Sequence, residues 1–119
     1  MDTKIENIID ALIKKSNDGE VVWSKMSNKE GFKLQLSDST LCVLRNNNNA
    51  RIVYYLRIYN ADGNMIVNES VDAAIRPNKL VALYESANQA FYKKDSTLES
   101  ILNQLNTTGK IGVDDNLPF

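Results

Sequence analysis

Apolar residues at Ile5, Ile8, Ile9, Leu12 and Ile13 open the chain with the i, i+3, i+4, i+7, i+8 spacing of one helical face. Thr3 with Glu6 three residues on has the form of a capping box, and Asn17-Asp18-Gly19 supplies a stop. The period then falls toward two. EVVWSKM (20–26), GFKLQL (31–36) and TLCVLR (40–45) read as short strands, separated by turn formers such as Ser27-Asn28 and Ser37-Asp38-Ser39. The four asparagines at 46–49 predict a polar hairpin tip. ARIVYYLRIYN (50–60) is the strongest strand signal, ADGN (61–64) is a turn with Gly63 at positive φ, and MIVNES (65–70) is a fifth strand. Short connections of this kind imply an antiparallel meander.

The helical period then returns. Pro77 suits a first helical position, and Leu80, Val81, Tyr84, Ala87 and Phe91 share one face of a helix over about 78–94. Ser96 and Glu99 form a second capping box for a helix over 97–105, with Leu98, Ile101, Leu102 and Leu105 apolar. The periodicity stops there. Residues 106–110 have a linker's composition and 111–119 have no period. The expectation is an α+β domain over 1–105: a five-stranded antiparallel meander flanked by one N-terminal and two C-terminal helices, with the helices packed on one face of the sheet. A linker and acidic-hydrophobic tail over 106–119 follow.

Composition adds bounds. A chain of 119 residues with 43% hydrophobic and 24% charged residues is of ordinary one-domain size and can bury a core without staples. The single cysteine, Cys42, excludes a disulfide framework within the chain and points to a reducing compartment. With no basic-then-apolar leader and no apolar run of membrane length, a cytoplasmic protein without membrane contact is expected. The net charge of −1 hides a gradient. Without Asp114 and Asp115 the chain carries 14 basic and 13 acidic side chains. The segment 21–60 sets Lys25, Lys29, Lys33, Arg45, Arg51 and Arg57 against Glu30 and Asp38.

Enzymatic chemistry finds little to work with. There is no histidine, which removes the commonest general base and zinc ligand. One cysteine cannot build a thiolate metal cluster, no Gly-rich phosphate loop is present, and the carboxylates lack EF-hand spacing. The expectation is a non-enzyme without metal or cofactor, with Cys42 a small core residue rather than a nucleophile.

The 50–60 strand offers a binding surface instead. Ile52, Tyr54, Leu56 and Ile58 fall on one face, and Arg51, Val53, Tyr55, Arg57 and Tyr59 on the other. Arginines interleaved with tyrosines on an open sheet suit single-stranded nucleic acid, because bases stack on rings while cations follow the phosphates. Lys33 and Gln35 on a neighbouring strand, and Trp23, are further candidates for that face. A solvated face of cross-strand pairs is the plain alternative.

The last residues, VDDNLPF, have a different logic. Phe119 offers a ring and a terminal carboxylate on one residue, Pro118 restricts the backbone, Leu117 adds apolar area, and Asp114 and Asp115 steer toward a basic rim. A pocket with a cation at its mouth is the matching receptor. DDNLPF resembles the C-terminal tip of bacterial single-stranded DNA-binding proteins, an acidic run followed by Ile or Leu, Pro and a terminal Phe. Asp114, Asp115, Leu117, Pro118 and Phe119 match that pattern, and Asn116 departs where a third aspartate is usual. The resemblance covers the last six residues. It implies recruitment of replication, recombination and repair proteins.

The domain does not follow that family, whose OB barrel has a helix between the third and fourth strands and whose tip hangs on a long Gly/Gln/Pro-rich spacer. The strand-then-helix order is loosely similar to non-OB sheets that bind single strands, such as the Whirly type. The resemblance and the basic strand together imply a single-stranded DNA-binding or DNA-metabolism accessory protein. Lys33, Arg51, Tyr55, Arg57 and Tyr59 would meet the DNA, and the tip would dock on host proteins; a phage or mobile element is a natural source. One alternative is an adaptor or inhibitor that mimics the tip without binding DNA; a third reading is a small structural domain with an incidental tail. The acidic tip could also fold back onto the basic strands in cis, since a short linker gives a high effective concentration. Homo-oligomerisation is left open.

Overall fold

The computed structural model describes residues 2–49, 51–75, 78–107 and 109–112. Their order is helix α1 (Thr3–Asn17), strands β1 (Ser24–Lys25), β2 (Gly31–Gln35), β3 (Thr40–Asn48), β4 (Arg51–Tyr59) and β5 (Met65–Asp72), then helices α2 (Lys79–Tyr92) and α3 (Lys94–Leu105). The strands form one antiparallel sheet in the order β1-β2-β3-β4-β5. The expected α+β meander is the observed fold.

One face of the sheet is covered. Phe32, Leu34, Leu41, Val43, Tyr54, Leu56 and Ile58 project from it onto Leu80, Leu83 and Ala87 of α2, with Ile9 and Leu12 of α1 in the same buried cluster. Helix α2 lies against β2, β3 and β4, and α1 packs alongside α2. The alternating set expected for β4 is the one that points inward. Phe32 anchors the layer through ring contacts with Tyr84 and Phe91, both at 5.5 Å between centroids.

Several boundaries differ from the expectation, each for a local reason. Helix α1 is capped by Asp2, whose carboxylate accepts the Lys4 N–H at 2.6 Å, so Thr3 is already helical and is not the cap. Its end at Asn17, with Gly19 at φ 74°, is as the stop signal implied. The 20–26 run yields a strand only at Ser24–Lys25, paired with Phe32 and Lys33. The asparagine run is mostly strand: Asn46, Asn47 and Asn48 pair with Val53, Ile52 and Arg51, and the tip begins at Asn49. The ladder overrides asparagine's low strand propensity, and Asn49 takes φ 58°, a region asparagine tolerates. Asn78 caps α2 by accepting from the N–H groups of Leu80 and Val81, so Lys79 is the first helical residue; Pro77 lies outside the described residues.

The last helix differs most. It starts at Lys94, not 97, because one left-handed residue, Lys93 at φ 52°, ends α2 and begins α3. Ser96 is therefore inside the helix and caps nothing. Nor does α3 join the packed layer: every residue from 96 to 105 is exposed, including Leu98, Ile101, Leu102 and Leu105.

Candidate nucleic-acid interface

All three helices leave the opposite face of the sheet without a covering element among the described residues. The antiparallel register arranges its residues in rows across the strands. One row runs Ser24, Lys33, Cys42, Arg57, Asn68. On one side of it lies Gly31, Leu44, Tyr55, Ser70, and on the other Gln35, Thr40, Tyr59, Met65. A fourth row, beyond Tyr55, holds Asn46, Val53 and Asp72. Lys33 and Arg57 thus share a row on either side of Cys42, about 10 Å apart at two strand spacings. Tyr55 and Tyr59 flank Arg57 along β4, each about 7 Å away.

Arg57 is held in place. Its guanidinium sits over the Tyr55 ring at 5.3 Å from the centroid, and its Nε donates to the Asn68 side-chain oxygen at 3.4 Å on the next strand. The planar cation and the ring form one fixed platform with polar edges. Two shallow depressions flank it. One, about 470 Å³, is lined by Asn28, Lys29, Leu44, Tyr55 and Arg57. The other, about 440 Å³, is lined by Lys33, Gln35, Cys42 and Tyr59.

Cys42 reports on the charge of this face. It is buried, 4% exposed, as expected of a small apolar residue, but on the sheet face opposite the helix-covered cluster. Burial pushes its thiol above the ordinary value of 9.0, while the positive charges of Lys33, Arg57 and Lys29 each pull it down. Lys33 and Arg57 flank Cys42 in its row, and Lys29 lines the depression beside Tyr55 and Arg57. Lys29 is the member the candidate set lacked; its turn has no period, and only the basic excess of the 21–60 segment signals it.

The candidate residues do not all behave alike. Lys33, Tyr55, Arg57 and Tyr59 come together around Cys42. Arg51 lies on the same face at the far end of β4, where its Nε pairs with Asp72 at 3.0 Å. Asp72 also accepts the Ala74 N–H at 2.8 Å, and these donors, the backbone one foremost, hold its carboxyl below the usual carboxylate range. Trp23 does not join the face. Its indole is in the helix-side cluster, with Nε1 donating to the Ser16 hydroxyl at 2.9 Å. Arg45, a basic residue of the same segment, faces the helix side and pairs with Glu30 at 2.8 Å. The tip residues Asp114, Asp115, Leu117, Pro118 and Phe119 lie outside the described residues.

Among the described residues no group of histidine, cysteine and carboxylates is placed to hold a metal ion, and no helix is long and apolar enough to cross a membrane. Comparison of the chain with protein-family models, curated proteins and solved structures finds no match.

Proposed function

We propose that this chain binds single-stranded DNA on the open face of its sheet and uses its C-terminal tip to recruit proteins of DNA replication, recombination or repair. The observation that carries the first half is the row geometry: Lys33 and Arg57 in one row, with Tyr55 and Tyr59 in the rows on either side, on a face that no helix of the described residues covers. Such an array offers rings for base stacking and cations for phosphates at the spacing of a few nucleotides, without a base-edge code. Of the nearby carboxylates, Asp72 is engaged by Arg51 and Glu30, on the rim of one depression, by Arg45, while Asp38 lines the rim of the other. The second half rests on the sequence alone, on Asp114, Asp115, Leu117, Pro118 and the terminal Phe119.

The test separates the halves. Full-length protein and a form lacking 114–119 are titrated with a labelled oligothymidine, and separately with a purified bacterial protein that binds single-stranded DNA-binding protein tips. The expected outcome is that truncation abolishes partner binding and preserves DNA binding. Partner binding that survives truncation rejects the tip's role. Intact partner binding beside no DNA binding selects the tail-mimic adaptor. Stronger DNA binding after truncation at low salt reports a tip that competes for the sheet in cis.

A further inference from the structure

Helix α3 carries an apolar strip that the fold leaves bare. Leu98, Ile101, Leu102 and Leu105 are 50%, 47%, 53% and 56% exposed, and at 100° per residue they lie within about 100° of arc. Ser96, Glu99, Ser100, Asn103 and Gln104 occupy the opposite side, around a separate hollow. The strip is therefore a sorted amphipathic face with its apolar side toward solvent.

We infer that this strip is the seam of a homodimer, in which α3 packs antiparallel against α3 of a second copy of the chain. Three features of the helix favour that occupant. First, the strip is self-complementary. Its spacings of three, one and three residues read the same in both directions. A two-fold axis between positions 101 and 102 sets Leu98 against the partner's Leu105 and Ile101 against the partner's Leu102, the reciprocal pattern of an isologous interface. Second, charge permits it. Glu99 is the one charged residue from 96 to 105, and the same axis places it opposite the partner's Gln104, so no like charges meet. Lys94, one turn before Leu98, is the one cation in the sequence of α3, too few for the basic face that an anionic lipid surface or nucleic acid requires. Third, the area is in range. Four half-exposed aliphatic side chains present on the order of 350 Å² of apolar surface, the size at which patches on monomers are usually functional. Two such strips bury about 700 Å² of apolar surface before their polar flanks are counted, the size of a weak, concentration-dependent interface. Such a pair would join two DNA-binding faces in one particle, a gain in avidity without new DNA contacts.

Sedimentation equilibrium of the full chain from micromolar to submillimolar concentration tests this. The mass is expected to rise from 13.4 kDa to twice that value and no further. The variant Ile101→Asp/Leu102→Asp is expected to stay monomeric with an unchanged circular dichroism spectrum and the melting midpoint of the wild type at concentrations where the wild type is monomeric, since neither side chain belongs to the buried cluster. A wild type that is monomeric throughout overturns the inference. So does a variant that dimerises like wild type, or a full-length monomer that dimerises only after removal of 114–119, which would make the tip the occupant. Disulfide trapping gives an answer that does not depend on the double variant's folding. Ile101→Cys is expected to cross-link under oxidation and Asn103→Cys, on the polar side, is not; equal yields contradict the seam.

Discussion

The Arg57 guanidinium rests over the Tyr55 ring, 5.3 Å from its centroid, on the open face of the sheet. The pair is two residues apart on β4, so both side chains leave the strand on the same side, and the Arg57–Asn68 hydrogen bond turns the guanidinium edge toward β5. In the proposed function, a base stacked on this pair would meet an aromatic plane and a cation already in position, which would reduce the ordering cost of binding.

That pairing predicts different defects for two substitutions. Tyr55→Ala removes the stacking plane and should weaken oligothymidine binding about 5- to 100-fold, the range that loss of one base–aromatic stack covers, with the salt slope nearly kept. Arg57→Lys keeps the charge but loses the planar stack and the fixed edge. It should weaken binding less than Tyr55→Ala and leave the salt slope intact. Polarisation titrations at several salt concentrations check both; equal affinity for wild type and Tyr55→Ala rejects the platform.

Asp72 restrains Arg51. Replacing it by asparagine frees a side chain that is already 71% exposed, so Asp72→Asn should tighten DNA binding by less than tenfold at low salt and steepen the salt slope by up to about one contact. The carboxyl is held below its usual range, so its contribution to stability is present above the unfolded value near 3.8 and lost as pH falls through the folded one. The substitution should therefore flatten the acid limb of the stability–pH curve.

Trp23 and Ser16 meet in the buried cluster through one hydrogen bond of 2.9 Å. Trp23→Phe removes the donor and leaves the buried Ser16 hydroxyl without it, beside a smaller ring. A loss of about 1–3 kcal/mol from the hydrogen bond alone, with more from the vacated volume, should appear in urea denaturation, while DNA affinity of the folded variant stays at the wild-type level. A large DNA-binding defect in folded Trp23→Phe would return this indole to the interface.

The Cys42 thiol is buried and its pKa raised, desolvation outweighing Lys33, Arg57 and Lys29. In the folded protein at neutral pH it should react with a thiol reagent far more slowly than in urea. Because the folded pKa lies above the ordinary value of 9.0, its contribution to stability is complete below about pH 9 and declines as pH rises beyond it. Fast labelling of the native state would show that the three cations, not burial, set its reactivity.

The sequence made some of this legible and hid the rest. The two faces of β4 were readable because alternation on a half-covered sheet is a local signal: the inward set, Tyr54, Leu56 and Ile58, is buried as its period implied. The position of Trp23 was not, since its run forms only two strand residues and its partner Ser16 lies on a helix. Lys33 could be placed beside Arg57 only by the register through Cys42, a pairing property rather than a pattern property. Helix α3 was legible as an amphipathic helix, but periodicity does not say what an apolar face packs against, and here it packs against nothing else in the described chain. The start of α3 at a single left-handed lysine carried no sequence signal either, because nothing marks Lys93 as a residue at φ 52°.

In the proposed function, the open sheet face binds single-stranded DNA through Lys33, Tyr55, Arg57 and Tyr59. The most direct measurement is a fluorescence-polarisation titration of a labelled oligothymidine with the wild-type chain and with Tyr55→Ala/Arg57→Ala, at low and at physiological salt. The account predicts saturable wild-type binding that weakens as salt rises, and a loss of at least tenfold in the double variant with its melting midpoint preserved. Absent binding, salt-independent binding, or equal affinity for the two proteins would contradict it.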